Sequence, residues 1–508
     1  MGYTVEIEYS RENAVLDPKD KQLVIAGQPS YLKQLHFDEV SGKFSGRVSE
    51  EVFHESIRSL SPSMAKPHCC SLWLCQAYIG ALPSHSSRHD SPCRPHSLTA
   101  LLASIMSGQD GTVLIVCERS HMFALGCAVA RAFPLYSRKN YFSAKRQSTI
   151  TVEFCFKGDN TNPPTDAEIS CLTAAAEGIR LAARIVDSPC NEMHTDAFVE
   201  EVIKVGNELG ITPVIIRGEE LAKRNFGGLY GVGKAATHPP ALAILSHRPE
   251  GAETSENIAW VGKGIVYDTG GLSIKGKTAM PGMKADCGGA AAILGAFRAA
   301  VKQGFKKNLH ALFCLAENAV GPLSTRPDDI HVFYSGKTVE INNTDAEGRL
   351  ALGDGVAYAA KDLKANIVVD MATLTGAQGV ATGQYHAAVV TNSENWEKAS
   401  VSAGRCSGDL VHPLPYTPEL HFQEFSSAVA DMKNSVKNRD NAQSSCAGLF
   451  IGAHLGFDFP GDWVHFDIAA TAVSGEHGTG YGVALLLSLF GNDSDNPLLN
   501  AVASMMGH

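Results

Sequence analysis

The chain has 508 residues, 44% hydrophobic and 19% charged, with 43 Lys+Arg against 53 Asp+Glu for a formal net charge of −10. This ordinary globular mixture is long enough for two or three domains and excludes a disordered chain. The acidic balance is the reverse of what a non-specific nucleic-acid binder carries. The 13 cysteines, an odd number and sparse for this length, read as free thiols in a reducing compartment.

The start, Met1-Gly2-Tyr3-Thr4-Val5-Glu6-Ile7-Glu8, brings acids early and lacks the apolar segment of a secretory signal. Gly2 invites a lipid anchor, but Glu6 stands where Ser or Thr is wanted. The apolar run Val483 to Phe490 is too short to cross a bilayer. A cytoplasmic protein, with neither membrane nor nucleic acid as partner, is the expectation.

In chain order, the stretch Ser61 to Ser97 is rich in Ser, Pro, His and Cys. Cys69, Cys70, Cys75 and Cys93 lie there with His68, His85, His89 and His96, but without the paired C-x2-C spacing of a zinc module, so plain thiols are expected. Thr112 to Cys117 reads as a buried strand, and Asn160 to Thr165 as a loop. Ala167 to Val186, free of Pro and rich in Ala, Leu, Arg and Glu, predicts one helix stopped by Asp187-Ser188-Pro189. The change of texture across that helix divides the chain into an N-terminal α/β domain over 1–165, a connecting helix over 166–190 and a larger catalytic domain over 191–508.

Beyond it, Ile258 to Tyr267, Leu309 to Leu315, Ile367 to Met371, Ala387 to Val390 and Trp463 to Ile468 read as strands. Gly288 to Gly304, Leu350 to Leu363 and Tyr481 to Phe490 read as helices, the first with Ala290, Ile293, Leu294, Phe297 and Val301 on one stripe. Such alternation predicts an α/β fold whose mixed, largely parallel sheet is flanked by helices.

Three segments concentrate unusual chemistry: Lys263 to Lys275, with Asp268-Thr269-Gly270-Gly271; Gly282-Met283-Lys284-Ala285-Asp286-Cys287-Gly288-Gly289; and Asn342-Asn343-Thr344-Asp345-Ala346-Glu347-Gly348-Arg349-Leu350. Each sets acids among glycines at the end of a predicted strand or the start of a predicted helix, where open α/β sheets bind ligands. Carboxylates converging there repel one another unless cations hold them. Oxygen-rich sites suit Mg2+, Mn2+ or Zn2+, and enough acids for two ions point to two-metal hydrolysis. A lone Asp beside Gly is ordinarily a turn or a cap, and a lone Lys a solvated surface group, so the reading rests on the three segments coming together. Lys263 and Asp268 are five apart and on a flat strand face opposite sides; they share a site only if the chain bends, for which Gly264 and Gly270-Gly271 leave room.

A rival pattern overlaps the first segment. Gly271-Leu272-Ser273-Ile274-Lys275-Gly276-Lys277-Thr278 fits G-x-x-x-x-G-K-[ST], with Ile367-Val368-Val369-Asp370 as a metal-bearing strand. A nucleoside-triphosphatase needs a helix opening at Lys277-Thr278. Here Ala279-Met280-Pro281-Gly282 intervenes, and helical pattern resumes only near Gly288. No H-E-x-x-H or G-x-S-x-G motif is present, and the 19 histidines form no ligand-spaced pair.

Taken together, the three segments resemble the leucine (cytosol) aminopeptidase family of two-metal exopeptidases. Asn343-Thr344-Asp345-Ala346-Glu347-Gly348-Arg349-Leu350 is similar to its signature octapeptide. Further likeness lies in Asp187-Ser188-Pro189-Cys190-Asn191-Glu192-Met193, Thr373-Leu374-Thr375-Gly376-Ala377, Asp431-Met432-Lys433-Asn434 and Asp467-Ile468-Ala469. The resemblance spans residues 170–490 and leans toward the branch of probable aminopeptidase-like proteins; residues before 166 show little to match.

The resemblance implies two divalent ions per subunit, zinc or manganese. Lys263, Asp268, Asp286 and Glu347 would hold one, and Asp268, Asp345 and Glu347 the other. It implies Lys275 and Arg349 as the catalytic pair, a bicarbonate on Arg349 as base, and Met283, Asn343, Thr373, Leu374 and Gly376 along the substrate site. It also implies a homohexamer of two trimers. The expected activity is removal of N-terminal residues from peptides by a hydroxide bridging the ions; the alternative is a catalytically weak or repurposed binding protein of the same fold. Lys263 can ligate only when neutral, which demands a depressed pKa, whereas Lys275 should stay protonated to face an oxyanion. Arg349 has no basic lone pair and cannot shuttle protons itself. The glycine-rich segment after Asp467-Ile468-Ala469 looks shorter than the family's and leaves the preferred side chain open.

Overall fold

The computed structural model describes residues 4–106, 108–139 and 147–506. Gly2, the residue a lipid anchor would use, lies outside them. Among the described residues no helix is long and apolar enough to cross a membrane. The chain forms two compact units.

The first unit takes Met1–Arg180 with Ser402–Leu410 and Ala484–His508. Its six-stranded sheet runs, in spatial order, Thr4–Tyr9, Gln147–Phe156, Gly111–Cys117, Gln22–Gly27, Ala77–Ala81 and His68–Trp73. All neighbours are parallel except the last pair. Its middle strands are near-continuous apolar runs, Leu23 to Ala26 and Val113 to Val116, all fully buried, as a parallel sheet covered on both faces requires. The Ser/Pro/His/Cys-rich stretch, which carries no strand signal, supplies the antiparallel edge pair. All thirteen cysteines are free thiols. No Cys or His of that stretch joins a metal-sized group among the described residues.

The helix Asp166–Asp187 carries the chain into the second unit, Leu181–Val401 with Val411–Val483, and ends where Ser188-Pro189 was expected to stop it. That unit's eight-stranded sheet runs Val411–Pro413, Ala387–Thr391, Asp462–Asp467, Ile367–Ala372, Asn257–Asp268, Asn308–Asn318, Ala241–His247 and Val214–Arg217. The four strands from Asp462–Asp467 to Asn308–Asn318 are parallel, and the pairings that flank them are antiparallel. The sheet is therefore mixed, with four parallel strands in its middle and one further parallel pair, Ala387–Thr391 with Val411–Pro413, at an edge.

Two features of this sheet position the glycine-flanked acids. A β-carbon on Gly289 would stand 2.0 Å from the Met371 carbonyl oxygen, so the helix Gly288–Lys302 meets the strand Ile367–Ala372 backbone to backbone, an approach only glycine permits. This brings the helix N-terminus, with Asp286 just before it, to the carboxyl ends of the parallel strands. The second feature is a bulge. Against Asn308–Asn318 the register runs Ile265 to Ala316 and then Tyr267 to Glu317, leaving Val266 as an extra residue. One bulged residue inverts the two-residue alternation beyond it, so Lys263 and Asp268 face the same side.

Candidate active site

The three glycine-flanked segments converge beyond the parallel strands. Lys263, on the strand Asn257–Asp268, brings Nζ 2.7 Å from Asp286 Oδ1 and 3.0 Å from Glu347 Oε1. It also donates to the Thr373 carbonyl at 2.8 Å. The Thr373 hydroxyl donates to the same Asp286 oxygen at 2.9 Å. Lys275 Nζ lies 2.7 Å from Asp268 Oδ2 and 2.6 Å from Asp345 Oδ1. The fold thus gathers Lys263, Asp268, Asp286, Asp345, Glu347 and Lys275 into one cluster.

That cluster fits divalent cations. Asp268, Asp286 and Glu347 are buried and have ligand atoms within 4.8 Å of one another. Asp286 Oδ2 and Glu347 Oε2 have no hydrogen-bond partner among the described residues. Buried carboxylate oxygens left bare are costly unless a cation meets them, and such oxygens suit hard or borderline divalent ions. Asp286 lies just before the helix Gly288–Lys302 and Glu347 at the N-cap position of the helix Gly348–Lys361, so both acids sit near positive dipole ends.

The electrostatics follow from burial and crowding. Burial holds Asp268 above the ordinary carboxylate range, Glu347 adds to this, and Lys263 and Lys275 only partly offset it. Asp286 is raised further, again by burial first. For Lys263 burial works in the direction a ligand lysine needs, but Asp286, Glu347 and Asp268 overrule it and hold the ammonium above the ordinary lysine range. The depressed pKa expected of this residue is therefore not supplied by the polypeptide alone; neighbouring cations would have to supply it. Lys275 is raised too, Asp268 and Asp345 prevailing over burial, which keeps it protonated as expected. Arg349 is buried, donates from Nη1 to the Asn434 carbonyl at 3.1 Å and leaves Nε without a partner. Burial lowers its pKa to about 10, so it remains a cation at neutral pH.

Several supporting residues carried no role in the sequence. Asn434 is fully buried. Its Oδ1 accepts from the Asn342 and Asn343 amides at 2.9 and 3.2 Å, and its Nδ2 donates to the Asn343 and Ala346 carbonyls at 2.7 and 3.1 Å. It clamps the loop that bears Asp345 and Glu347. Its place in Asp431-Met432-Lys433-Asn434 was the only signal. Asn318 Nδ2 donates to Asp268 Oδ1 at 2.8 Å and to the Thr344 carbonyl at 3.0 Å, and no sequence pattern marked it. Asp467 accepts from Thr375 Oγ1 at 2.6 Å and from the Leu374 amide at 3.1 Å, shaping the 373–376 segment.

Beside the cluster, a cleft is lined by Asn343, Asp345, Arg349, Leu374 and Gly376, with Ser435, Val436 and Arg439 beyond. Thr373 instead turns toward Lys263 and Asp286. Met283 is half-buried on the turn Met283–Cys287 and is not among the cleft's lining residues. Residues 271–282 form turns, and the helix after them opens at Gly288 rather than at Lys277, so the phosphate-binding geometry is absent.

The fold also pairs histidines that the sequence left apart. His194, Asp196 and His238 bring ligand atoms within 4.8 Å, and the two rings stack with centroids 3.6 Å apart. There, however, Asp196 already pairs with Arg217, and the Ala197 amide donates to His194 Nδ1 at 3.3 Å.

The catalytic-domain model of the cytosol aminopeptidase family matches residues 180–487. The chain belongs to that family. It is accordingly an M17 aminopeptidase, a metal-dependent exopeptidase. A second model, the M17 aminopeptidase N-terminal domain 2, matches residues 21–142, so the likeness reaches into a region where the sequence showed little to match. The probable aminopeptidase NPEPL1 of Mus musculus is 61% identical over 504 residues, 99% of this chain and 95% of that one. The structure of Caenorhabditis elegans leucine aminopeptidase superposes with a TM-score of 0.90 at 43% identity, covering 98% of this chain and 100% of that chain. A Trypanosoma brucei leucyl aminopeptidase solved with bestatin gives a TM-score of 0.84 at 35% identity, covering 96% of each chain. Neither a repurposed binding protein nor a triphosphatase gains support from the site or from these relatives.

Proposed function

We propose that this M17 aminopeptidase removes N-terminal residues from peptides with two divalent ions, zinc or manganese. Lys263, Asp268, Asp286 and Glu347 would hold one, and Asp268, Asp345 and Glu347 the other. The observation that carries the reading is the pair of bare, buried carboxylate oxygens on Asp286 and Glu347 beside the Lys263 amine. When bound, such ions supply Lewis acidity, activating water and anchoring the free amine of the substrate.

The chain's own residues do the remaining work. Lys275, protonated and close to Asp268 and Asp345, donates to the carbonyl oxygen as it gains charge. Arg349 accepts no proton, but its unpartnered buried Nε offers a charge-assisted bond to an anion, and bicarbonate there would serve as the base. Asn343, Leu374 and Gly376 orient the peptide in the cleft, with Met283 and Thr373 nearer the ions. The proposal includes a homohexamer, drawn from the family resemblance, a cytoplasmic location, and chemistry confined to residues 191–508.

The test is a panel of aminoacyl amides on purified protein, stripped with chelator and reloaded with single divalent ions. Hydrolysis returns with Mn2+ or Zn2+ and is lost in Glu347→Ala together with bound metal. Failure of every ion to restore hydrolysis overturns the proposal. Bestatin, present in the Trypanosoma brucei structure, is expected to inhibit.

A further inference from the structure

One wall of the cleft takes no part in metal binding or proton transfer: the loop from Asn434 to Asn441. At one end it is tied to the acid-bearing loop, by Asn434 and by the Ser435 amide, which donates to Asn342 Oδ1 at 2.9 Å. At the other end the Glu424 carboxylate accepts from the Asn438 amide and from Asn441 Nδ2, each at 2.9 Å. The Gln443 side chain donates to the Arg439 carbonyl. The backbone beneath Arg439 is therefore held from both sides.

The side chain of Arg439 is exposed and lines the same cleft as Asp345 and Arg349. Asp345 is matched by Lys275. No acidic side chain pairs with Arg439 among the described residues. A solvated guanidinium is the ordinary fate of an exposed arginine. Arg439 differs because it faces a cleft from a loop whose backbone is tied at both ends, so a contact has to order the side chain but not the loop. A guanidinium so placed presents a fork matched to a carboxylate.

We infer that Arg439 is a specificity-determining residue that selects peptides carrying a carboxylate just beyond the bond to be cut. This rests on the proposed aminopeptidase activity. Ions held by the buried acids would anchor the free amine of the substrate, so the part of the peptide that extends past Asp345 toward Arg439 lies on the far side of that bond. The carboxylate can come from an acidic second side chain or from the C-terminus of a dipeptide.

Steady-state kinetics on the metal-loaded enzyme separate these sources. Leu-Asp-amide is compared with Leu-Asn-amide, Leu-Gly with Leu-Gly-amide, and Glu-amide with Gln-amide. The expected result is roughly a fivefold preference in kcat/KM, carried by KM, for the acidic member of either or both of the first two pairs. The preference vanishes in Arg439→Gln, is partly kept in Arg439→Lys, inverts in Arg439→Glu and shrinks as salt is raised. Equal ratios in wild type and Arg439→Gln overturn the inference, as does a preference confined to Glu-amide over Gln-amide. Turnover of Leu-Asn-amide with no acidic preference sinks this inference alone, whereas turnover of none of the six substrates sinks the aminopeptidase reading and this inference with it.

Discussion

A β-carbon built on Gly348 would stand 2.5 Å from Cε and 2.7 Å from Nζ of Lys263. Lys263 is buried and held by Asp286, Glu347 and the Thr373 carbonyl, so it has nowhere to retreat. The first turn of the helix Gly348–Lys361 and the amine that would meet an ion are thus fitted to each other. Gly348→Ala is expected to push the amine aside and to lower metal content and turnover together, the latter roughly 100-fold. Metal analysis beside an aminoacyl-amide assay checks this; full occupancy with full turnover would contradict it.

The rival phosphate-binding pattern makes the opposite forecast at two nearby residues. Lys277 is exposed and precedes no helix, whereas Asp345 contacts Lys275 at 2.6 Å. Lys277→Ala is expected to leave peptide hydrolysis within about twofold, as surface substitutions generally do. Asp345→Ala is expected to abolish it. The same assay on both variants checks this, and loss in Lys277→Ala with retention in Asp345→Ala would contradict the proposed site.

Asn434 supports the site without touching an ion. Replacing it by alanine removes the bonds to Asn342, Asn343 and Ala346 and leaves buried backbone groups unpaired. Asn434→Ala is expected to cost roughly 2–3 kcal/mol of stability and to slow turnover about tenfold through the loosened loop. Urea unfolding followed by kinetics on the same preparation measures both.

Arg349 makes a forecast about the buffer. If a bicarbonate on its unpartnered Nε supplies the base, carbonate-free solution lowers turnover and added bicarbonate restores it. In Arg349→Met that response is expected to disappear. Equal rates with and without bicarbonate in the parent protein count against the role.

His454 sets an acid limit on stability. Its Nδ1 lies 2.8 Å from Ser335 Oγ, its ring stacks on Phe333 at 4.4 Å, and burial pushes its pKa down to about 3. A histidine with a depressed folded-state pKa contributes stability that is present above its unfolded pKa, about 6.5, and lost as pH falls toward the folded value. Between pH 7 and pH 5 the loss through this group is roughly 2 kcal/mol. Urea unfolding at the two pH values should show that decline in the parent protein and a shallower one in His454→Gln.

How much of the fold and the site was legible beforehand depends on the kind of signal. The strands Asn257–Asp268, Asn308–Asn318 and Ile367–Ala372 announce themselves as apolar runs, and the helix Gly288–Lys302 as a 3.6-residue stripe opened by glycines. Acids set among glycines at the ends of those elements, Asp268, Asp286, Asp345 and Glu347, were likewise visible, because convergence at strand ends follows from the fold class. Asn434 and Asn318 were not, since a neutral amide clamping distant backbone carries no periodicity. The edge strand His68–Trp73 was missed because it alternates poorly and pairs on one side only. The contact of His194 with His238 is purely tertiary.

The extra residue at Val266 has a consequence for the gene. Deleting that single codon would leave the hydrophobic run of Asn257–Asp268 intact to any reader of composition, and the shortened strand could still lie beside Asn308–Asn318 in unbroken register. Asp268 would then follow Lys263 by four positions, an even interval, and keep the same face without any bulge. One residue added between them, with no second bulge to absorb it, would instead turn Asp268 to the opposite face, so a single in-frame triplet gained there would keep the architecture and forfeit a cation ligand.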